Sequence, residues 1–400
     1  MSETATTTRL SNGATRDLTV EQREIFDQVD RYSRRELHGL QERMDNEEWW
    51  PEHLFAEFGR NGYLGVTAPT ELGGAGLDAM TALLIGQAMA RWNPAAALSY
   101  LAHENLCVNN IVANAAAPLQ QRFLPGLCDG TLVGALALTE PGAGSDALGG
   151  MRTTARRDGD EYVLNGTKLY ITNGPIANVV LVYAKTAPEL GAKGITAFVV
   201  ERDRPGFNVA QKLVKMGLRG SPTGELVFDD CRVPADNMLG RENHGVAVVM
   251  NGLDLERIGI AFMVLGMAER ALEIAIDYAR SREQFSQPIG SFQLVQGMIA
   301  DMYTMVEALR SFAMDVAHEA NGLEHGAAPA ELSLRAGSLA LLAGRTFMQV
   351  ADMAVQIHGG SGFMWETEVN RLYRAGKVLE IGAGTNEVRK IIVARQLLGR

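Results

Sequence analysis

The stretch EYVLNGTKLYITN, residues 161–173, decides the fold. Apolar residues alternate along it, and its neighbours share that short β-like character: NVVLVYAKT at 178–186, GITAFVVER at 194–202 and GELVFDDCRVP at 224–234. Asn165-Gly166, set between two alternating runs, predicts a hairpin turn. VGALALTE at 133–140 reads as one more strand. A small all-β lobe, closed or sandwiched, is therefore expected over 132–244.

On both sides of it the apolar spacing becomes helical. LTVEQREIFDQVDRYSRREL, at 18–37, starts after Thr19 as a cap with Glu21 and Gln22 behind it, and a helical lobe is expected over 19–131. The glycine-rich breaks GRNGYLG and ELGGAGL interrupt it. From 245 to 400 a helical bundle is expected, built from four segments: 258–268, 269–282, 294–320 and 330–359. The first, IGIAFMVLGMA, is apolar on every face and so should be buried all round. Residues 1–18, rich in Ser and Thr, read as a disordered lead-in. The fold class is α+β, mainly α: helices, then sheet, then helices.

Composition narrows the function. The 37 basic and 47 acidic residues give a net charge of −10, which argues against nucleic-acid binding. No apolar run of membrane-spanning length occurs. Cys107, Cys128 and Cys231 are sparse and unpaired in spacing, which fits a reducing cytoplasm and neither a disulfide framework nor a metal site. The run GAGSDA at 142–147 imitates a dinucleotide fingerprint, but Gly149-Gly150 and an alternating stretch follow it where that motif needs a helix. What remains is a loop of small residues whose amides could cradle an anion.

ALTEPGAGSDALG (137–149) and QIHGGSGFMWETEVNRLYRA (356–375) resemble the two signatures of the acyl-CoA dehydrogenase family. The second departs only at Ala375, where an acidic residue is usual. NGTKLYITNGP, REQFSQPIGSFQLVQ and EIGAGTNEVRK add to the likeness, which runs from about residue 20 to the C-terminus. LSYLAHENLC, GLDLER and EIGAGTNEVR resemble the isovaleryl-CoA dehydrogenase branch in particular.

The resemblance implies FAD, an acyl-CoA substrate, a homotetramer built as a dimer of dimers, and electron-transfer flavoprotein as acceptor. It places Leu138, Thr139, Tyr170 and Thr172 at the flavin ring, with Ser145 toward the phosphates. Arg282, Phe285, Gln293, Gln356 and Gly360 would reach FAD across a subunit interface, and Thr385 and Glu387 belong to the loop that closes over the cofactor. Leu98, Leu101, Ser145 and Gly382 would line the substrate. Ala383 would offer its amide to the thioester oxygen, and Asp254 and Arg257 would anchor the pantetheine arm or the loop.

Removal of an α proton from a thioester needs an ionised carboxylate in a dry pocket. Most of the family keeps that glutamate in the closing loop, at the position Ala383 holds here. Asp254, Glu256 and Arg257 instead stand at the mouth of the apolar segment, where the start of a helix would partly compensate a carboxylate. On the residues alone, a cap or surface glutamate fits Glu256 equally well; the resemblance makes it the base. Small residues at Gly382 and Ala383 leave room for a branched acyl chain. Leu101 and Leu379 depart from the branch in opposing senses for cavity size. The alternatives are a flavin oxidase or N-hydroxylase on the same scaffold, and a catalytically silent scaffold. His103, His244 and His358 read as structural.

Overall fold

The computed structural model describes residues 18–321 and 329–399. The lead-in expected over 1–18 lies outside this range except for Leu18, which is buried. Helix α1 (Val20–Tyr32) begins with the capping box the sequence announces, Thr19 and Gln22 each bonding the other's backbone N–H. Helix α2 (Ala79–Trp92) is buried along nearly its whole length against helix α3 (Gly245–Ser281). Between α2 and the sheet the chain widens into a π-helical stretch, Ala102–Val108.

The middle lobe is an eight-stranded mixed sheet: β1 (Gly134–Ala137), β2 (Thr154–Asp158), β3 (Glu161–Thr172), β4 (Val179–Lys185), β5 (Ile195–Glu201), β6 (Phe207–Lys212), β7 (Thr223–Pro234) and β8 (Met238–Leu239). Strands run in the order β6-β7-β3-β2-β4-β5-β8, with β1 parallel to β4. Both faces are buried at the central strands β4 and β5, which is why β4 is an almost unbroken apolar run, whereas β2 and β6 are largely exposed. Val180, Val182 and Ala184 pack inside the lobe with residues of β1, β2, β3, β5, β6 and β7. Val179, Leu181 and Tyr183 point the other way, against Ile111, Leu124 and Leu127 of the helical lobe.

Asn165-Gly166 is not a turn. β3 continues through it, and the two-residue turn lies earlier, at Gly159 and Asp160, where Asp158 faces Glu161. Gly166 sits at a register shift against β7 and lets another segment approach, since a Cβ there would lie 2.4 Å from Thr153 Oγ1.

The C-terminal lobe comprises α3, α4 (Gln293–Asn321), α5 (Ala330–His358), α6 (Glu368–Leu379) and α7 (Asn386–Leu397). The four expected segments resolve into three long helices, because 258–268 and 269–282 belong to the single helix α3. Residues 258–268 are buried throughout, as their composition requires. Helix α3 also starts earlier than expected, at Gly245, so Glu256 stands roughly three turns inside it. The compensation expected from a helix start is therefore absent, since that field fades within the first turn.

Candidate active site

Glu256 is half-buried, and among the described residues no donor bonds its carboxylate. Burial pushes its carboxyl up to about 7 against the opposing pull of Arg257 and Arg389. Its helix is flanked by the widened stretch and the turns on either side of it: a Cβ at Gly252 would lie 2.7 Å from Asn110 Nδ2, and one at Gly259 would lie 2.5 Å from Asn105 Nδ2 and 3.3 Å from Leu101 Cδ2. Leu101 is 6% exposed and its Cδ2 also stands 3.4 Å from where a Cβ of Gly86 would be. It thus wedges between α2 and α3. Leu98 is half-buried three residues earlier.

Asp254 and Arg257 are both buried and paired at 2.7 Å, and Ser333 of α5 donates to Asp254. Neither side chain bonds the closing loop. Arg389, which sequence reading overlooked, does: it is fully buried and donates to the carbonyls of Leu379 at 2.9 Å, Gly382 at 2.7 Å and Ala340 at 3.1 Å. The signal available was an arginine three places after Asn386 on the inward face of α7. Ala383 takes a left-handed φ of 52°, and its N–H meets no acceptor among the described residues. Thr385 caps α7 by accepting from Val388 N, while Glu387 is exposed. Leu379 is a core residue of the bundle.

The expected flavin residues converge on the β1–β3 edge. Leu138 O accepts from Lys168 Nζ at 3.0 Å, and Thr139 O accepts from Leu169 N at 2.9 Å, which pins the end of β1 beside Tyr170. Tyr170 takes a φ of 64° at an irregularity in β3 and turns outward, 65% exposed. Ser145 lies exposed in the 142–147 turn, and no helix follows it. The hydroxyls of Thr139, Ser145 and Thr172 have no partner among the described residues. Unspent hydroxyls beside an outward aromatic ring and an open loop fit a flavin and its phosphates. Lys168 is a second residue sequence reading missed; a lysine on the inward face of an alternating strand was the signal.

Arg282, Phe285, Gln293, Gln356 and Gly360 are all exposed. Tyr278 and His358 stack at 4.1 Å, which brings the segments carrying Arg282 and Gln356 to one end of the bundle. His103 is neutral and structural: burial lowers it to about 4, with one ring nitrogen on Leu127 O and the other on Gly134 N. Beside Ala375, Arg374 pairs with Asp45, whereas Nε of Arg371 is buried without a partner. No group of three metal-ligating residues and no helix long and apolar enough to cross a membrane occurs among the described residues.

The chain matches the N-terminal, middle and C-terminal domains of acyl-CoA dehydrogenase over residues 19–131, 135–231 and 243–398. It is 42% identical to 2-methylacyl-CoA dehydrogenase of Solanum tuberosum, over 94% of this chain and 90% of the relative. It is also 42% identical to isovaleryl-CoA dehydrogenase of Arabidopsis thaliana, over 94% and 91%. Butyryl-CoA dehydrogenase of Megasphaera elsdenii superposes with a TM-score of 0.91 at 35% identity, covering 96% of this chain and 99% of that one. The chain belongs to the acyl-CoA dehydrogenase family and is an FAD-dependent oxidoreductase acting on CH–CH bonds.

Proposed function

We propose that the chain desaturates a short, branched acyl-CoA between Cα and Cβ, with Glu256 as the base. One observation carries this reading: a half-buried carboxylate without a hydrogen-bond partner, held near 7, in a lobe whose closing loop has Ala383 where a glutamate would stand. A carboxylate so placed is poised to exchange a proton close to neutral pH.

Glu256 takes the α proton. The free N–H of Ala383 polarises the thioester oxygen and stabilises the developing enolate. Bound FAD supplies the acceptor for the hydride that leaves Cβ. Thr139, Ser145, Tyr170 and Thr172 hold the cofactor. Arg282, Phe285, Gln293, Gln356 and Gly360 complete its site from a neighbouring subunit of a tetramer, and electron-transfer flavoprotein takes the electrons. Gly382 and Ala383 add no side chain beyond a methyl at the loop, which leaves room for a branch. The relatives named for isovaleryl-CoA and 2-methylacyl-CoA support a branched substrate.

The test is anaerobic bleaching of the flavin by isovaleryl-CoA. Glu256→Gln should remain yellow in the presence of substrate while the parent enzyme bleaches; complete bleaching of the variant removes Glu256 from the reaction.

A further inference from the structure

Arg389 holds three main-chain carbonyls, two of them, Leu379 and Gly382, on the segment that leads into Ala383. A guanidinium can bridge several carbonyls because its donors lie in a rigid fork. Nη1 also donates to Asn386 Oδ1 at 3.2 Å, so the start of α7 joins the same cluster. Nε remains buried with no partner in the chain. A fully buried cation spent on carbonyls alone is costly, because none of them carries a formal charge to offset its lost hydration.

We propose that Arg389 is a positioning residue that fixes the closing loop, and with it the Ala383 amide, while its charge acts on Glu256. The proposal rests on Glu256 being the base. The charge of Arg389 favours ionised Glu256, and Glu256 in turn favours charged Arg389. The other groups acting on this pair are few. Arg257, on the same helix as Glu256 and paired with Asp254, pulls the Glu256 carboxyl down more than Arg389 does and opposes the charge of Arg389. Tyr183 of β4 has a buried hydroxyl without a partner, and Glu380 acts on Arg389 from the loop. Asn105 and Asn110, beside the α3 glycines, are uncharged. Arg389 is therefore the one cation that bonds the loop and also acts on Glu256, among the described residues.

The experiment follows anaerobic flavin bleaching by isovaleryl-CoA from about pH 5.5 to about pH 9 in the parent holoenzyme, R389Q, R389K and E256Q. R389Q should move the acidic midpoint up by about one pH unit, as loss of a nearby cation requires. R389K keeps the charge but lacks the rigid fork that spans the separated carbonyls; its midpoint should stay put while bleaching slows about tenfold. An unmoved midpoint in flavin-loaded R389Q, or a parent-like rate in R389K, overturns the proposal. Bleaching by E256Q overturns the base assignment instead, so the two failures are distinguishable. If R389Q does not load flavin, thermal unfolding of R389K, E256Q and the double variant decides. R389K keeps the charge that acts on Glu256 and loses only loop bonds, so its change in Tm should add to that of E256Q, and a parent-like Tm in R389K overturns the proposal.

Discussion

Lys168 Nζ lies 2.8 Å from Glu140 Oε1, with the lysine side chain wholly out of solvent. Glu140 also accepts from the backbone of Arg152 and Thr153, and Lys168 from Leu138 O. One buried pair thus ties three segments of the sheet lobe together beside Leu138 and Thr139, which are proposed to face the flavin. Burial drives Lys168 down to about 8 although Glu140 pulls it up. Burial alone would raise Glu140, yet Lys168 and the other donors hold it below its usual range.

Lys168→Met should therefore leave a buried carboxylate without its counter-ion, at a cost of about 3–5 kcal/mol. The flavin content of the purified variant should fall with stability, since Leu138, next to Thr139, loses its side-chain anchor. Thermal unfolding and the 450 nm absorbance per subunit check this. A variant with parent-like Tm and full flavin would show that the pair holds nothing together.

Glu256 yields a pH prediction with two readouts of fixed sign. In the proposed reaction its ionised form is the base, so kcat/KM should climb through an acidic limb centred near 7. Stability runs the other way. The carboxyl lies at about 7 in the folded chain against a reference of 4.5, so the folded state binds the proton more tightly. That contribution is complete below about 4.5 and disappears as pH rises through 7. Glu256→Gln carries no charge at any pH, so its gain in Tm over the parent should be larger at about pH 8 than at about pH 5. Equal gains at both would mean that Glu256 is not desolvated in the folded enzyme.

The sequence was most legible where packing follows a simple period. Residues 258–268 are apolar on every face and are buried on every face, and Thr19 with Gln22 forms the capping box it spells. It misled where one local signal has two physical uses. Asn165-Gly166 has the composition of a hairpin turn, yet Gly166 is there because Thr153 packs against its α carbon. The real turn carries its own signal, Gly159-Asp160, only a few residues earlier. At the site, Glu256 was readable from a missing loop glutamate and from resemblance, but its distance from the helix start was not, because 245–253 has no clear cap. Arg389 and Lys168 showed in the sequence only as charges on inward faces, since the carbonyls they bind leave no mark in the side-chain sequence.

Leu101 offers the sharpest test of what the acyl cavity admits. Its Cδ2 fills the space that Gly86 of α2 and Gly259 of α3 leave open, one turn from Glu256 on the same helix face as Gly259. A branched side chain wedged between two glycines cannot be swapped for a smaller one without opening a void there. Leu101→Ala should cost about 2–5 kcal/mol in unfolding free energy, the usual range for a buried leucine. The void opens toward the helix face that carries the base, so a longer acyl chain should be able to occupy it. Each methylene accommodated in an apolar pocket is worth about 1–3 kcal/mol. On that scale, kcat/KM for hexanoyl-CoA relative to isovaleryl-CoA should rise about tenfold in L101A. A variant that loses stability but keeps the parent's order of substrates would mean that Leu101 packs the two helices together without reaching the acyl chain.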